Sequence, residues 1–131
     1  MKLIKSLCAL LSVARADVLS DYVAAPEEVY DWFEYTNLTF TTNWGNTGRV
    51  LNVTTQKWMD ESRAAGPRGA IWDHEVIVVI PKDLEFTHIA TVTMFGSCNG
   101  NPGAAINVNN NNILKIDELA HNSKTIAVGI L

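Results

Sequence analysis

Glu75-Val76-Ile77-Val78-Val79-Ile80-Pro81 opens the stretch that decides the fold, which runs on to Thr125-Ile126-Ala127-Val128-Gly129-Ile130-Leu131. Val76 to Ile80 is an unbroken β-branched run, the pattern of a strand buried on both faces, and Pro81 stops it. Ile89 to Phe95 reads as a second strand, followed by a Gly-containing loop from Gly96 to Gly103. From Asn112 to His121, the residues Ile113, Ile116 and Ala120 recur at helical spacing. Lys115 and Asp117 are read as outward, and Asn122 as a left-handed cap. Thr125 to Leu131 is a third apolar strand. A strand–helix–strand crossover predicts that the last two strands run parallel.

Working outward, Arg49 to Thr55 alternates, with Leu51 and Val53 on one face and Val50, Asn52 and Thr54 on the other. Taking Leu51 and Val53 as the core face turns Asn52 outward. Trp44-Gly45-Asn46-Thr47-Gly48 carries turn residues. Glu34 to Thr42 before it is strand material, so an antiparallel hairpin is expected. Ala25-Pro26-Glu27-Glu28 predicts the start of a short helix through Phe33, with Pro in the first turn and acids at the positive end of the dipole. Met59 to Ala70 reads as a loop. The fold class that follows is α/β, with an antiparallel hairpin followed by parallel strands and a crossover helix.

The 131 residues allow one domain, and 47% hydrophobic against 18% charged is a globular composition. A net charge of −4 argues against a nucleic-acid partner. Residues 1–16 differ from the rest: Lys2 and Lys5, then the apolar Leu7 to Val13, then Ala14-Arg15-Ala16. That order reads as a secretory signal peptide cut before Asp17, and the alternative is an amphipathic N-terminal helix. The apolar run is too short for a membrane span, which needs roughly 20 residues. Cleavage removes Lys2, Lys5 and Arg15, so seven basic residues face fourteen acidic ones, a net −7 over residues 17–131. It also removes Cys8 and leaves Cys98 alone, which excludes an internal disulfide framework. Asn37-Leu38-Thr39 and Asn52-Val53-Thr54 are acceptor sequons that suit an exported glycoprotein.

The apolar strand that stops at Leu131 has no helix after it to cover its second face. Two readings follow: a domain truncated at its C-terminus, which is the reading preferred here, or a natural small protein that dimerises through the exposed sheet.

Several segments in order carry a family resemblance. They are Asp21-Tyr22-Val23 with Ala25-Pro26 and Trp32, then Val50-Leu51-Asn52-Val53-Thr54-Thr55-Gln56-Lys57-Trp58. Ile71-Trp72-Asp73-His74 leading into Val76 to Pro81, and Gly96-Ser97-Cys98-Asn99-Gly100-Asn101-Pro102, complete the set. The order resembles the N-terminal part of the PhoPQ-activated pathogenicity-related family, which includes secreted autocrine proliferation repressors of amoebae. The resemblance covers most of residues 17–131. It implies that these form part of an α/β-hydrolase-like domain, in a protein exported for virulence or for growth-repressing signalling. Cys98 departs from the family pattern, which usually carries Ser there in a more Gly-rich loop. The loop from Met59 to Ala70 is also longer.

A hydrolase of this class places its nucleophile in G-x-S-x-G, followed in the chain by an acid and a His. This sequence has no G-x-S-x-G. It has Gly96-Ser97-Cys98-Asn99-Gly100 after a strand. Three readings of that loop stand side by side: a Cys98 nucleophile, a loop of backbone N–H donors for an oxyanion, and a plain connection. Asp117 and His121 lie four apart on one helix and are expected to form a surface pair. His74 reads as a packed histidine, and His88 has no visible partner. His74, His88, His121 and Cys98 show no metal-ligand spacing, and no cofactor motif is present. Trp32, Trp44, Trp58 and Trp72 read as core and hairpin packing. Two function classes result. One is a secreted signalling or interaction protein that meets an extracellular protein or small molecule. The other is an α/β-hydrolase-type esterase or peptidase whose triad lies beyond Leu131.

Overall fold

The computed structural model describes residues 20–21, 24–58, 61–62, 66, 68–96 and 104–131. The expected signal peptide and its cleavage site lie outside these residues, as do Ser97, Cys98, Asn99 and Gly100.

Six strands form one sheet: β1 (Asp31–Glu34), β2 (Phe40–Thr41), β3 (Thr47–Lys57), β4 (Ile71–Ile80), β5 (Phe86–Met94) and β6 (Thr125–Ile130). A helix, α1 (Asn111–Ser123), joins β5 to β6. Across the sheet the order is β1-β3-β4-β6-β5, with β2 paired to β3 at one end. The result is a mixed α/β architecture, mostly strand. The expected crossover is present, since β5 and β6 are parallel and α1 spans between them. The parallel core is narrower than the sequence predicts. β4 is antiparallel to both β3 and β6, so β5–β6 is the sole parallel pair among the described strands. The cause is local. The connection between Lys57 and Ile71 brings β4 back beside β3: the Trp58 N–H donates to the Ala70 carbonyl at 2.7 Å at its base, and Gly66 and Gly69 exchange bonds of 2.8 and 3.1 Å within it. The short turn after Pro81 then reverses the chain again, and β6 enters between β4 and β5.

Helix α1 begins where Asn110 accepts a hydrogen bond from the Asn112 N–H at 2.9 Å. Such a cap is worth about 0.5–2 kcal/mol. Asn110 thus caps the helix, and Asn111 and Asn112 form its first turn. The left-handed cap is Lys124, at φ 57°, not Asn122. Ile113, Ile116 and Ala120 on α1 meet Ile77, Val79 and Ala127 on the sheet. Each fully buried Ile or Val adds about 1.5–3 kcal/mol. Gly129 lets the helix approach: a Cβ there would run into the Ile116 side chain.

Register fixes which strand face is the core. Gly48, Val50, Asn52 and Thr54 stand opposite Val79, Ile77, Glu75 and Asp73, and Ile77 and Val79 stand opposite Gly129 and Ala127. This is the helix side. Val50, Asn52 and Thr54 are accordingly buried, with Asn52 only 7% exposed, while Leu51 and Val53 lie on the other side. The expectation that Asn52 points away from the core is corrected. The alternation of β3 is real, but its two faces are the reverse of those expected, because both carry apolar residues.

The N-terminal stretch departs from expectation too. Glu28 and Val29 form a turn, and Asp31–Glu34 is a strand paired with Leu51–Thr54 rather than a helix. Pairing with a long, already twisted partner outweighs a weak helical signal. Thr36–Leu38 is a 3-10 turn, and only Phe40–Thr41 of the expected strand pairs with Thr47–Gly48. The expected hairpin loop between them is present, turning at Gly45 with φ 78°. Trp32, Trp44 and Trp72 are exposed, not core. Trp32 and Trp72 belong to the face of the sheet opposite α1.

Candidate functional site

A cluster of buried polar atoms lies where the β2–β3 loop, the β4–β5 turn and α1 meet. Asn46 is fully buried and ties all three together. Its amide nitrogen donates to Asp117 Oδ1 at 2.8 Å, and its amide oxygen accepts from the Lys82 N–H at 3.1 Å. Its own N–H donates to Thr42 Oγ1 at 3.0 Å. Asp117 Oδ2 accepts from the Trp44 N–H at 3.2 Å. The Trp44 ring lies against His121, with centroids 4.0 Å apart. His121 Nδ1 is buried and makes no hydrogen bond. At the rim, Asn43 Nδ2 donates to Asn109 Oδ1 at 3.2 Å. Lys124 Nζ pairs with Asp83. That hydrogen bond holds the exposed Asp83 carboxyl below its ordinary value, against desolvation, which acts in the other direction.

This geometry overturns the reading of Asp117 and His121 as a surface pair. Asp117 is 1% exposed, and both of its oxygens serve the hairpin loop rather than the imidazole. The reason is visible in the spacing. Asp117 follows Ile113 by four residues and precedes Ala120 by three, so it shares the apolar face of the helix. Buried there, a carboxylate must be hydrogen-bonded, and the loop N–H groups supply the donors. Asn46 reads in sequence only as a turn residue. Its signal is weak, since nothing in a turn sequence separates a solvated Asn from a buried one.

The remaining site residues fall elsewhere. Gly96 follows β5 and is exposed, and the rest of the Gly96–Gly100 loop lies outside the described residues. His74 sits half-buried on β4, and His88 is exposed on β5. Among the described residues no group of three His, Cys, Asp or Glu is placed to hold a metal ion. Asn37 is exposed in the 3-10 turn, and Asn52 is in the sheet. A second polar group lies at the far end of the β3–β4 hairpin. Arg68 grips both oxygens of Asp73 at 2.8 Å, and Thr54 Oγ1 donates to Asp73 at 2.6 Å.

Strands β3 and β4, which run between these two polar groups, carry much of the order that suggested a family, and the match extends well beyond them. The sequence pattern of the PhoPQ-activated pathogenicity-related proteins fits residues 19–131. The chain belongs to that family. It is similar to autocrine proliferation repressor protein A of Dictyostelium discoideum, at 33% identity over 85 residues. That match takes in 65% of this chain and 16% of the relative, so the chain spans about a sixth of the curated protein it matches. No solved structure matches the chain. No helix among the described residues of this PhoPQ-related chain is long and apolar enough to cross a membrane.

Proposed function

We propose that the chain is an exported member of the PhoPQ-related family that works as a signalling or interaction protein, without turnover, in the manner of a proliferation repressor. The observation that carries this reading is the state of Asp117. Both carboxylate oxygens are taken up in holding the β2–β3 loop, so the Asp–His pair on α1 serves the framework and leaves His121 without an acid partner in Asp117. Similarity to a repressor protein adds the signalling class. Export rests on the basic, apolar and small-residue order of residues 1–16, with Asn37 as an accessible acceptor. The test is expression of the full chain in a secreting eukaryotic cell. The reading predicts product in the medium beginning at Asp17, and slower growth of cells given that medium. Retention inside the cell, or medium with no effect on growth, contradicts it.

A second reading is favoured by one feature. The loop after Met94 follows a sheet strand and leads into α1, which is where α/β-hydrolases place backbone N–H donors for an oxyanion. Under this reading residues 17–131 supply the start of a hydrolase-like fold, and Gly96, Ser97, Cys98, Asn99 and Gly100 supply donors rather than the nucleophile. An esterase or peptidase built this way takes its triad from further chain. Grafting the downstream part of a longer relative onto Leu131 tests it: hydrolysis by the graft that falls on Gly96→Pro supports the donor role, and activity indifferent to that change removes it.

A further inference from the structure

Among the described residues, His121 Nδ1 is the one buried side-chain polar atom without a hydrogen-bond partner. The neutral ring tolerates this: with its proton on Nε2, Nδ1 presents only a lone pair to the interior. The imidazolium does not. Both nitrogens then donate, and a buried N–H with no acceptor is costly. The same ring lies against Trp44, with centroids 4.0 Å apart and planes tilted by 43°. Cation–π attraction to an indole as exposed as Trp44 is smaller than the cost of that stranded donor.

The charged groups around the ring are few. On α1, Asp117 and Glu118 precede it by four and three residues, and Lys124 follows it by three. Asp117 is occupied by the β2–β3 loop. That loop brings Trp44 and no charged side chain, since residues 42–46 are Thr-Asn-Trp-Gly-Asn. The β4–β5 turn carries Lys82, Asp83 and Glu85. A Cβ on Gly45 would lie 4.0 Å from Lys82 Nζ, and the Glu85 N–H donates to the Lys124 carbonyl. Asp83, lowered chiefly by its hydrogen bond to Lys124, is lowered also by the charge of His121. A carboxylate at the rim therefore lies within electrostatic reach of the imidazole.

We propose that His121 is a pH-sensitive latch on the β2–β3 loop: neutral, it packs against Trp44 and holds the loop on α1; protonated, it turns out of its buried seat toward Asp83 and lets residues 43–45 loosen. His121 lies outside the apolar core under α1, so that turn leaves the core intact. The C-terminal end of the helix favours a cation at the rim as well. Trp44 is then held by its N–H bond to Asp117 Oδ2, at 3.2 Å the longer of the two bonds that carboxylate makes to the loop. Asn46 is fully buried and keeps its bonds to Asp117 and Lys82. The sign follows from the proton count. The loosened loop binds one proton more than the latched one, so loosening grows as pH falls. The latch is independent of whether the chain signals or belongs to a hydrolase.

Amide hydrogen exchange on the full chain, followed by NMR from about pH 8 to about pH 5, tests this, because an imidazole gains its proton in that span. After correction for the intrinsic pH dependence of exchange, protection of the Trp44 N–H should fall about tenfold across the range. The Asn46 and Lys82 N–H groups should keep theirs. His121→Phe leaves an aromatic ring beside Trp44 that cannot titrate, so Trp44 should stay protected throughout. His121→Gln, a second variant without a titrating group, should give a Trp44 protection that does not change with pH. Equal protection of Trp44 at both ends of the range in the parent chain overturns the proposal. So does a fall that persists in both His121 variants, or one that Asn46 and Lys82 share, which would be general loosening by acid.

Discussion

Asn46 and Asp117, 71 residues apart in sequence, meet in the interior with the Asn46 amide donating to the carboxylate at 2.8 Å. Both side chains are buried. The contact locks the β2–β3 loop onto α1, and the same Asn46 locks it to the turn after Pro81. One amide thereby ties two connections, the β2–β3 loop and the β4–β5 turn, to the helix.

Removing the carboxylate strands buried donors. Asp117→Ala leaves the Asn46 amide and the Trp44 N–H unpaired, and a buried group left without its partner costs about 1–3 kcal/mol, more where a charge was involved. Asn46→Ala should cost a similar amount. The double variant should cost less than the sum, with a coupling of about 0.5–3 kcal/mol. Urea unfolding of the four proteins measures it. Additive losses would mean that the two side chains act independently.

Helix α1 sits as close to the sheet as it does because residue 129 has no side chain. Gly129→Ala drives a methyl into Ile116, and overpacking of this kind costs about 1–3 kcal/mol. Ile116→Val shortens the opposing side chain and should restore part of the loss. Thermal unfolding of the single and double variants is the measurement. A Gly129→Ala protein as stable as the parent would place the helix further out.

Acid should loosen the turn after β4. The Asp83 carboxyl is held below the ordinary value of 3.8, chiefly by its hydrogen bond to Lys124. A group whose value is lower in the folded state adds stability above the unfolded value and loses it as pH falls through the folded one. The contribution is therefore present at neutral pH and fades below about 3.8. Asp83→Asn should flatten the melting-temperature profile over that acid range, by a small amount since the pair is exposed. An unchanged profile would show that the pair does not persist in solution.

Glycosylation should distinguish the two sequons. Asn37 stands exposed in a turn, and Asn52 is in a strand flanked by β1 and β4 with its side chain on the helix side of the sheet. Folded protein from a eukaryotic secretory host should carry one glycan. Asn37→Gln should remove the mobility shift seen on deglycosylation, and Asn52→Gln should leave it. A folded product glycosylated at Asn52 would require that β3 face solvent there.

The elements with strong local signals are legible in the sequence. Val76 to Ile80, Thr125 to Ile130 and the Ile113, Ile116, Ala120 stripe lie in the strands and helix expected of them, and the crossover between β5 and β6 follows from their order. Direction within the sheet is less legible, because β4 lies between β3 and β6 and runs antiparallel to both, and strand order of this kind is set by pairing rather than by local sequence. Asp31 to Phe33 reads as helix because a strand made by pairing has little local signature of its own. The site is the least legible part. Asp117 sits on the core stripe by spacing, yet its charge suggests an outward position. Asn46 gains its meaning only from partners far away in the chain.

The proposal that the chain acts without turnover rests on Asp117 being committed to the framework, with both of its oxygens bonded to the β2–β3 loop. The direct test is to offer the purified full chain a panel of ester and peptide substrates. No turnover above buffer is predicted, with the same null result for Cys98→Ala and His121→Ala. Hydrolysis that Cys98→Ala abolishes would contradict it.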